Sequence, residues 1–320
     1  MSRQIIYVAL QQFCEQDDRP RRALEDAGLT VRLNTLGRRL KPEEMAAQLR
    51  EADAVLAGVE PYDASLLSQL PRLRCISRCG IGTDAIDLAA AQQRRIAILT
   101  TVDEVVEPVA QMTVAMILAL ARNLPLHGAD AHQGLWRKHT GHLLSEWTIG
   151  LVGFGRIGRA VERYLRVFGP RVLVSDPNVT QDTLPEQVQL CDLAALLAES
   201  NVVSLHAGRR PEDGPLIGRQ ALGAMKQGSR LVNTARGYLV DEAALEEALT
   251  SGHLAGAALD VFESEPYSGP LAKLPQVLCT PHVSTLTTAS RAAMELCCAQ
   301  NVVDFFAKQS TAPRTHEMAR

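Results

Sequence analysis

Short apolar segments rich in β-branched residues alternate along the chain with segments whose apolar positions recur at helical spacing. The first kind of segment predicts buried strands, and the second predicts helices that pack on them. Strands are predicted at residues 4–10, 55–57, 75–77, 96–99, 147–152, 171–176, 201–205, 230–233, 256–260 and 277–279. Helices are predicted at residues 19–27, 42–51, 64–70, 105–123, 159–165, 191–199, 241–250 and 287–307.

This alternation predicts an α/β protein with parallel sheets covered by helices. A length of 320 residues suits two domains. We predict a flavodoxin-like, substrate-binding domain at residues 1–100 plus 285–320 and a Rossmann-type dinucleotide-binding domain at residues 101–284, with a cleft between them. The last helix is assigned to the first domain because no strand follows it. The helix at residues 105–123 is apolar beyond one face, which predicts burial between domains or subunits.

Composition narrows the classes of partner. Hydrophobic residues make up 46% of the chain, the net charge is −3 and the pI is about 6.3, so neither nucleic acid nor an anionic membrane is an expected partner. The longest apolar segment, residues 114–121, is too short to cross a bilayer. The chain begins with a strand rather than a signal-peptide pattern. Seven cysteines without zinc or disulfide spacing predict reduced thiols and a cytoplasmic location.

The strongest chemical signal lies at residues 147–165. A predicted strand leads into Gly153, Gly155 and Gly158 in the spacing Gly-x-Gly-x-x-Gly, and a predicted helix follows. In this context the glycines permit a tight turn, a close approach of backbone amides to a pyrophosphate and close helix–strand packing. Asp176 ends the next predicted strand, where such folds place the carboxylate that binds the adenosine ribose. Together these features favour a dinucleotide site over an ordinary turn and a surface acid.

Two other segments carry weaker signals. Cys79, Gly80, Ile81 and Gly82 form a loop after a predicted strand, which suits either a plain turn or the binding of a small anion by backbone amides. Four histidines follow the long apolar helix, but their spacing lacks the pattern of a zinc site, so we expect solvated polar residues and no metal. These histidines are His127, His132, His139 and His142.

Polar residues follow the ends of four predicted strands: His206, Arg236, Asp260 and His282. In open α/β sheets the ligand crevice lies outside the carboxyl ends of the strands. We therefore expect these four residues to converge on one crevice, although each of them alone has an ordinary structural explanation.

Three long motifs resemble those of the D-isomer-specific 2-hydroxyacid dehydrogenases: residues 231–242 (LVNTARGYLVDE), 258–266 (ALDVFESEP) and 280–282 (TPH). The glycine motif, the 80–82 loop and the sequence Gly-Leu-Trp at 134–136 also follow the family's order, so the resemblance extends over residues 5–306. It implies a short, phosphoglycerate dehydrogenase-like form without a regulatory domain.

The resemblance implies a catalytic triad. Arg236 would bind the substrate's carboxylate and carbonyl oxygen, which suits its planar pair of donors. His282 would be the acid/base, and Glu265 would pair with it and hold its orientation and charge. Asp260 would contact the nicotinamide side.

The resemblance also implies two sets of binding residues. The NAD-binding set is Gly153, Gly155, Arg156, Ile157, Gly158, Asp176, His206, Ala207, Thr234, Ala235, Arg236, Asp260, His282 and Ser284. The substrate-binding set is Cys79, Gly80, Ile81, Gly82, Arg236 and His282.

The chain departs from the family pattern in places. Residues 207–211 replace a Pro-rich stretch that many members have, and Gln111 stands where a Glu is common, which leaves details of the cofactor and interdomain contacts open. Phosphoglycerate dehydrogenases often carry an Arg where this chain has Gly58, Val59 and Glu60. This difference weakens 3-phosphoglycerate as the substrate but leaves it open, because Arg78 or a partner subunit could supply the positive charge. Glu265 and Ile81 differ from the residues typical of formate and phosphite dehydrogenases.

The expected function is that of an NAD-dependent oxidoreductase. It would transfer a hydride between NAD(H) and a small D-2-hydroxy acid or 2-oxo acid, as a cytoplasmic homodimer paired through the 105–123 region. The alternatives are an NAD(H)-sensing binding protein of the corepressor type and phosphoglycerate dehydrogenase proper. The substrate, its pathway and the physiological direction stay open.

Overall fold

The chain forms two compact α/β units, each built on one all-parallel sheet. The structure, a computed structural model, describes residues 3–208 and 211–311. The first unit is Met1–Val105 with Leu286–Arg320, and the second is Val106–Thr285. The predicted fold class is confirmed. Residues 209 and 210, in the segment that replaces the Pro-rich stretch, and residues 312–320 of the last predicted domain segment lie outside the described residues.

The first unit contains a five-stranded sheet in the order β2-β1-β3-β4-β5. Its strands are β1 (Ile5–Val8), β2 (Thr30–Leu33), β3 (Ala54–Ala57), β4 (Cys75–Arg78) and β5 (Ala97–Thr100). Its helices are α1 (Arg19–Asp26), α2 (Pro42–Leu49), α3 (Ala64–Ser68), α4 (Leu88–Gln93) and α11 (Thr288–Thr311). Helix α11 buries Met294, Cys298 and Val302 against one face of this sheet, which explains why a final helix needs no strand after it.

The second unit contains a seven-stranded sheet in the order β12-β11-β10-β9-β6-β7-β8. Its strands are β6 (Thr148–Val152), β7 (Arg171–Ser175), β8 (Val188–Leu190), β9 (Val202–Leu205), β10 (Arg230–Asn233), β11 (Gly256–Leu259) and β12 (Val277–Cys279). Its helices are α5 (Val106–Ala121), α6 (Leu124–His132), α7 (Arg156–Leu165), α8 (Leu193–Glu199), α9 (Arg219–Ala224) and α10 (Glu242–Thr250).

Each sheet has one place where the strand order reverses direction. In the first unit it lies between β1 and β3, and in the second between β6 and β9. Loops at the carboxyl ends of the strands on either side of such a reversal leave a crevice, which is where open α/β sheets bind ligands. The topology therefore marks two ligand-binding edges before any side chain is considered.

The sequence pattern missed strands β2 and β8 and helices α4, α6 and α9. Both strands lie at sheet edges, and much of each is partly or fully exposed, so neither shows a continuous apolar run. Helix α6 buries no residue and contains Gly128, so it lacks the apolar stripe by which a helix is predicted.

No single helix in the described part of the chain has both the length and the apolar character needed to span a membrane. Helices α5 and α6 meet those criteria only when taken together, and they are bent by 67° relative to each other.

Candidate active site

The glycine motif forms the turn between β6 and α7, beside the reversal of strand order in the second unit. Gly153 has a φ of +94°, and a Cβ at this position would lie 2.6 Å from the carbonyl group of His206. Any larger residue would therefore be strained and would push apart the loops after β6 and β9. A Cβ atom added at Gly155, by contrast, would have no neighbouring atom within 4 Å. The motif thus combines a tight turn with open space at the start of a helix.

Asp176 follows β7 and faces the glycine turn. Its Oδ2 accepts a hydrogen bond from the Phe154 backbone N–H at 2.7 Å, and its Oδ1 accepts one from Asn178 N–H at 2.8 Å. A carboxylate has about four acceptor positions, so capacity remains for the hydroxyls of a ribose. The first N–H groups of α7 have no partners within the helix and attract an anion. The residues present therefore fit a dinucleotide, with the pyrophosphate at α7 and a ribose at Asp176.

His206 follows β9 and is held in place by a hydrogen bond of 2.9 Å between its Nε2 and the Ser204 hydroxyl. Burial lowers the pKa of His206 to about 4. Above pH 5 its imidazole is therefore neutral, which makes it a hydrogen-bonding group of the crevice rather than a charge.

The low pKa of His206 predicts a pH-dependent loss of stability. An unfolded histidine binds a proton near pH 6.5, whereas the folded ring resists protonation down to pH 4. The contribution of the neutral His206 to the free energy of unfolding is therefore fully present above pH 6.5. It falls as the pH drops toward 4, by about 2 kcal/mol at pH 5. We expect the free energy of unfolding of His206→Gln, from denaturant titrations at pH 7 and pH 5, to fall by less than that of the wild type. Equal losses in the two proteins would contradict the assignment.

Arg236 sits in a turn after β10 that is organised by the buried side chain of Asn233. The Asn233 Nδ2 donates to the Arg236 carbonyl at 2.8 Å, and its Oδ1 accepts from Ala235 N–H at 3.0 Å. The Arg236 guanidinium donates to the Ala235 carbonyl at 2.8 Å. Thr234 is buried, and its hydroxyl bonds that of Thr113 on α5 at 2.8 Å. Sequence reasoning assigned no role to Asn233; the available signal was a buried amide at the end of an apolar strand.

The turn carrying Arg236 and the loop leading to Glu265 are in direct backbone contact. A Cβ on Gly237 would lie 1.9 Å from the carbonyl carbon of Phe262, so only glycine lets the two segments approach this closely. Phe262 N–H in turn donates to Glu265 Oε1 at 3.2 Å. The position of Glu265 is thereby tied to that of the arginine turn.

Glu265 and His282 form the predicted pair. The Glu265 Oε2 lies 2.9 Å from the His282 Nδ1, and the side chains are 32% and 46% exposed, respectively. With Nδ1 engaged, Nε2 is the ring nitrogen left for a reacting group. Such a carboxylate–imidazole pair fixes the orientation of the ring and favours a proton on Nδ1.

Asp260 holds the loop that carries His282. It is fully buried, and its Oδ1 accepts from the Thr280 hydroxyl at 2.6 Å and from Val283 N–H at 2.9 Å. Its Oδ2 accepts from both the backbone N–H and the hydroxyl of Ser284. The His282 backbone N–H donates to the Asp260 carbonyl at 2.8 Å, and His282 has a φ of +55°. The contact with the nicotinamide side stays a prediction, whereas the observed bonds make Asp260 the anchor of this strained loop.

Strands β10, β11 and β12 are consecutive neighbours in the sheet, so Arg236, Asp260 and His282 follow adjacent carboxyl ends, as expected. The remaining predicted NAD-binding residues lie on the same set of loops. Arg156, Ile157 and Gly158 form the first turn of α7, Ala207 follows His206, Ala235 precedes Arg236, and Ser284 is buried after β12. Their contacts with NAD stay predictions.

The 80–82 loop lies in the first unit, directly after β4. Cys79 is buried, Gly80 has a φ of +139° and its carbonyl accepts from Thr101 N–H, and Ile81 is 41% exposed. Within the described residues, no acceptor takes the N–H groups of Gly80, Ile81 and Gly82. These amides are therefore available to an anion, the role the resemblance assigns to them.

The four histidines after α5 make local contacts. His139 Nε2 lies 2.8 Å from Asp130 Oδ2, and His127 Nε2 lies 3.1 Å from the His139 carbonyl. His132 bonds the Gly128 carbonyl, and His142 lies 3.5 Å from Glu146. Among residues 3–208 and 211–311, no group of three or more possible ligands has the arrangement of a metal site.

Comparison with known proteins gives a matching family model and two similar enzymes. The family model described as D-isomer specific 2-hydroxyacid dehydrogenase, NAD binding domain, matches residues 114–284. D-3-phosphoglycerate dehydrogenase of Mycobacterium tuberculosis is 35% identical over 254 residues, which cover 78% of this chain and 48% of that protein. Glyoxylate reductase of Thermofilum pendens is 37% identical over 272 residues, 82% of this chain and 80% of that protein. The chain therefore spans about half the length of the phosphoglycerate dehydrogenases that it matches.

A solved structure extends this similarity to the whole fold. D-lactate dehydrogenase from Aquifex aeolicus, in complex with NAD and lactic acid, has a TM-score of 0.82 and 29% identity, covering 95% of this chain and 96% of that one. The family match and a glycine turn with open space for a dinucleotide together confirm a nicotinamide dinucleotide as the cofactor.

Proposed function

The chain belongs to the D-isomer-specific 2-hydroxyacid dehydrogenase family, and we propose that it transfers a hydride between NAD(H) and a small D-2-hydroxy acid or the corresponding 2-oxo acid. The observation that carries the proposal is the Glu265–His282 pair at 2.9 Å, on the same sheet edge as Arg236 and the glycine turn. An oriented acid/base on this edge favours catalysis over a binding protein that only senses the cofactor.

The proposed chemistry divides the work between cofactor and protein. When bound, NADH supplies the hydride and NAD accepts it. The Arg236 guanidinium binds the substrate carboxylate and polarises the carbonyl with two donors in a fixed plane.

The proton of the reaction is assigned to His282. In the reductive direction its Nε2–H donates a proton to the carbonyl oxygen, and in the oxidative direction the neutral Nε2 takes the proton from the hydroxyl. Glu265 orients the ring through its contact with Nδ1 at 2.9 Å, which leaves Nε2 for the substrate. Asp260, through the 280–284 loop, keeps the ring at the edge of the sheet.

A panel of small 2-oxo acids assayed for NADH oxidation tests the proposal. Turnover of at least one member with a kcat/KM well above that of His282→Asn is the expected result. Tight NADH binding without turnover of any member would contradict the proposal and favour the cofactor-sensing alternative.

Asp176 predicts a preference for NAD over NADP. A 2′-phosphate would meet a like charge at the carboxylate that already bonds Phe154 N–H, at a cost of about 1–3 kcal/mol. We expect kcat/KM with NADH to exceed that with NADPH by roughly tenfold or more. Asp176→Ala should weaken NADH binding and narrow the difference in kcat/KM between NADH and NADPH. Equal kcat/KM values for the two cofactors in the wild type would contradict the role assigned to Asp176.

We further propose a homodimer. Most apolar side chains of α5 are buried within their own unit, so the apolar surface left for a partner lies in the segment that follows this helix. There Trp136 is 93% exposed, and Leu124 and Leu143 are also exposed, which is unusual for large apolar side chains close together in sequence. Sedimentation should give a dimer at micromolar concentration and a smaller species for Trp136→Glu; a wild-type monomer would contradict the proposal.

The proposed location is the cytoplasm. Its support is that all seven cysteines are free thiols, as a reducing compartment maintains them.

A further inference from the structure

Two cysteine side chains meet beneath the loop that follows β4 in the first unit. Cys79 comes directly after this strand, and its backbone N–H continues the ladder by donating to the Ala57 carbonyl at 2.9 Å. Because alternate side chains of a strand lie on one face, Cys79 shares a face with Ser77. Cys79 and Cys298 of α11 are buried in the same hydrophobic cluster. The fold thus brings together two thiols that are far apart in the sequence.

Helix α11 is fixed on β4 at this point by reciprocal hydrogen bonds. The Ser77 hydroxyl donates to the Cys298 carbonyl at 2.9 Å, and the Cys298 thiol donates to the Ser77 carbonyl at 3.2 Å. Further along the helix, Asn301 Nδ2 donates to the Thr100 carbonyl of β5 at 3.3 Å. A side-chain hydrogen bond also joins the thiols of Cys298 and Cys79. The two sulfur atoms are therefore held facing each other.

The two thiols differ in acidity. The hydrogen bond from Cys298 lowers the pKa of Cys79. The charges of Arg291 and Arg78 lower this pKa further, whereas burial and the charge of Glu295 oppose them. Burial raises the pKa of Cys298 well above its ordinary value. A thiol favoured as the thiolate by nearby guanidinium groups, with a second thiol beside it, is the usual environment of a redox-active cysteine.

We propose that Cys79 and Cys298 form a reversible disulfide when the protein meets a peroxide, and that this bond is a redox switch of the loop after β4. The Cys79 thiolate attacks one oxygen of hydrogen peroxide, the O–O bond breaks, hydroxide leaves and Cys79 becomes a sulfenic acid. The Cys298 thiol gives its proton to that hydroxide, and its sulfur attacks the Cys79 sulfur. The S–O bond then breaks and a second hydroxide leaves. The peroxide is reduced by two electrons, which the two thiols supply.

The disulfide changes the loop that carries Cys79. An S–S bond is about 2.05 Å long, shorter than a hydrogen-bond contact between thiols, so Cys79 moves toward α11 when the bond forms. Gly80 and Gly82 let the backbone follow, because neither carries a Cβ. The amides of the 80–82 loop, which are available to an anion, are displaced with it. The effect on catalysis rests on the proposed function, whereas the formation of the disulfide does not.

Oxidation of the purified full chain with hydrogen peroxide tests the disulfide directly. The wild type should lose two of its seven thiols, and dithiothreitol should restore both. Tryptic digestion without a reductant should give a cross-linked pair of peptides, 79–94 with 292–308. Cys298→Ser should form no cross-link, and dimedone should instead trap the Cys79 sulfenic acid. Cys297→Ser is the matched control, because it alters the adjacent residue of the same helix and should keep the cross-link.

Two outcomes would overturn the disulfide. The first is the absence of the cross-link in the wild type at peroxide concentrations that oxidise the partly exposed Cys14, a result that does not depend on the folding of any variant. The second is a cross-link that persists in Cys298→Ser and is lost in Cys297→Ser, which would assign the bond to the neighbouring cysteine.

Kinetics of the oxidised enzyme test the switch. The KM for a 2-oxo acid should rise about tenfold or more on oxidation and return to its original value with dithiothreitol. NADH binding should stay unchanged, because the glycine turn and Asp176 belong to the second unit. A cross-link that leaves the KM unchanged would overturn the role as a switch. No turnover by the reduced wild type would overturn the proposed function and leave the disulfide, which is measured by mass, standing.

Discussion

Replacing His282 with Asn is expected to lower kcat/KM for reduction of a 2-oxo acid by about a hundredfold or more. The substitution removes the group that donates the proton to the carbonyl oxygen. Asn is a better choice than Ala because position 282 has a φ of +55°, and Asn tolerates this left-handed conformation. NADH binding, followed by fluorescence titration, should change little because the glycine turn and Asp176 are untouched.

The pH dependence of the rate separates an acid/base from a residue that only supports structure. Reduction needs the imidazolium, so its kcat/KM should be high at low pH and fall as the pH rises, and oxidation of the hydroxy acid should show the opposite trend. Glu265→Gln keeps the shape of the side chain and removes the charge 2.9 Å from Nδ1. Because the carboxylate orients the ring that donates the proton, Glu265→Gln should lower kcat/KM for reduction and leave NADH binding unchanged.

Two outcomes would count against this assignment. A kcat/KM for reduction in Glu265→Gln equal to that of the wild type would mean that the pair does not interact during the reaction. A His282→Asn enzyme that keeps most of its activity with an unchanged pH profile would show that another residue moves the proton.

Replacing Gly237 with Ala is expected to have the second-largest effect. The new methyl group would lie 1.9 Å from the Phe262 carbonyl carbon, so the arginine turn and the loop to Glu265 must move apart. Overpacking of this kind costs about 1–3 kcal/mol of stability. The accompanying shift of Arg236 relative to the acid/base pair should lower kcat/KM about a hundredfold, because displacements near 1 Å have effects of that size.

Gly223→Ala is the matched control for this experiment. Gly223 is an exposed helical glycine with no atom within 4 Å of its Cβ position, so Ala should stabilise α9 by about 1 kcal/mol and leave the rate unchanged. Wild-type kinetics and thermal stability in Gly237→Ala would show that the two loops tolerate separation and that their contact does not position the site.

The amino-acid sequence alone predicted the parts of the fold that depend on local pattern. Buried parallel strands carry continuous apolar runs, so most strands of both sheets were predicted at or near their observed positions. The Gly-x-Gly-x-x-Gly spacing between a strand and a helix identified the dinucleotide turn, because its steric demands act within one short segment. Edge strands β2 and β8 were missed because both contain exposed and partly exposed residues and neither shows such a run.

The Glu265–His282 pair was predicted from the family resemblance and not from a local pattern. Glu265 and His282 are separated by 17 positions, and no local pattern indicates that they are in contact; the family resemblance paired them, and the structure shows the bond. The positions where polar residues follow strand ends did predict that Arg236, Asp260 and His282 share one edge. This inference works because parallel strands present their carboxyl ends together.

Only the tertiary structure decided what supports these residues. The buried Asn233 organises the arginine turn, and the contact between Gly237 and Phe262 joins two loops. Asp260 is engaged by the 280–284 loop through both carboxylate oxygens, a role invisible in its sequence motif. The contact between Cys79 and Cys298 likewise depends on how α11 packs on the first sheet. Hydrophobic periodicity and turn chemistry are encoded within a few residues, whereas burial, electrostatic neighbours and close backbone approaches arise only when distant segments pack together.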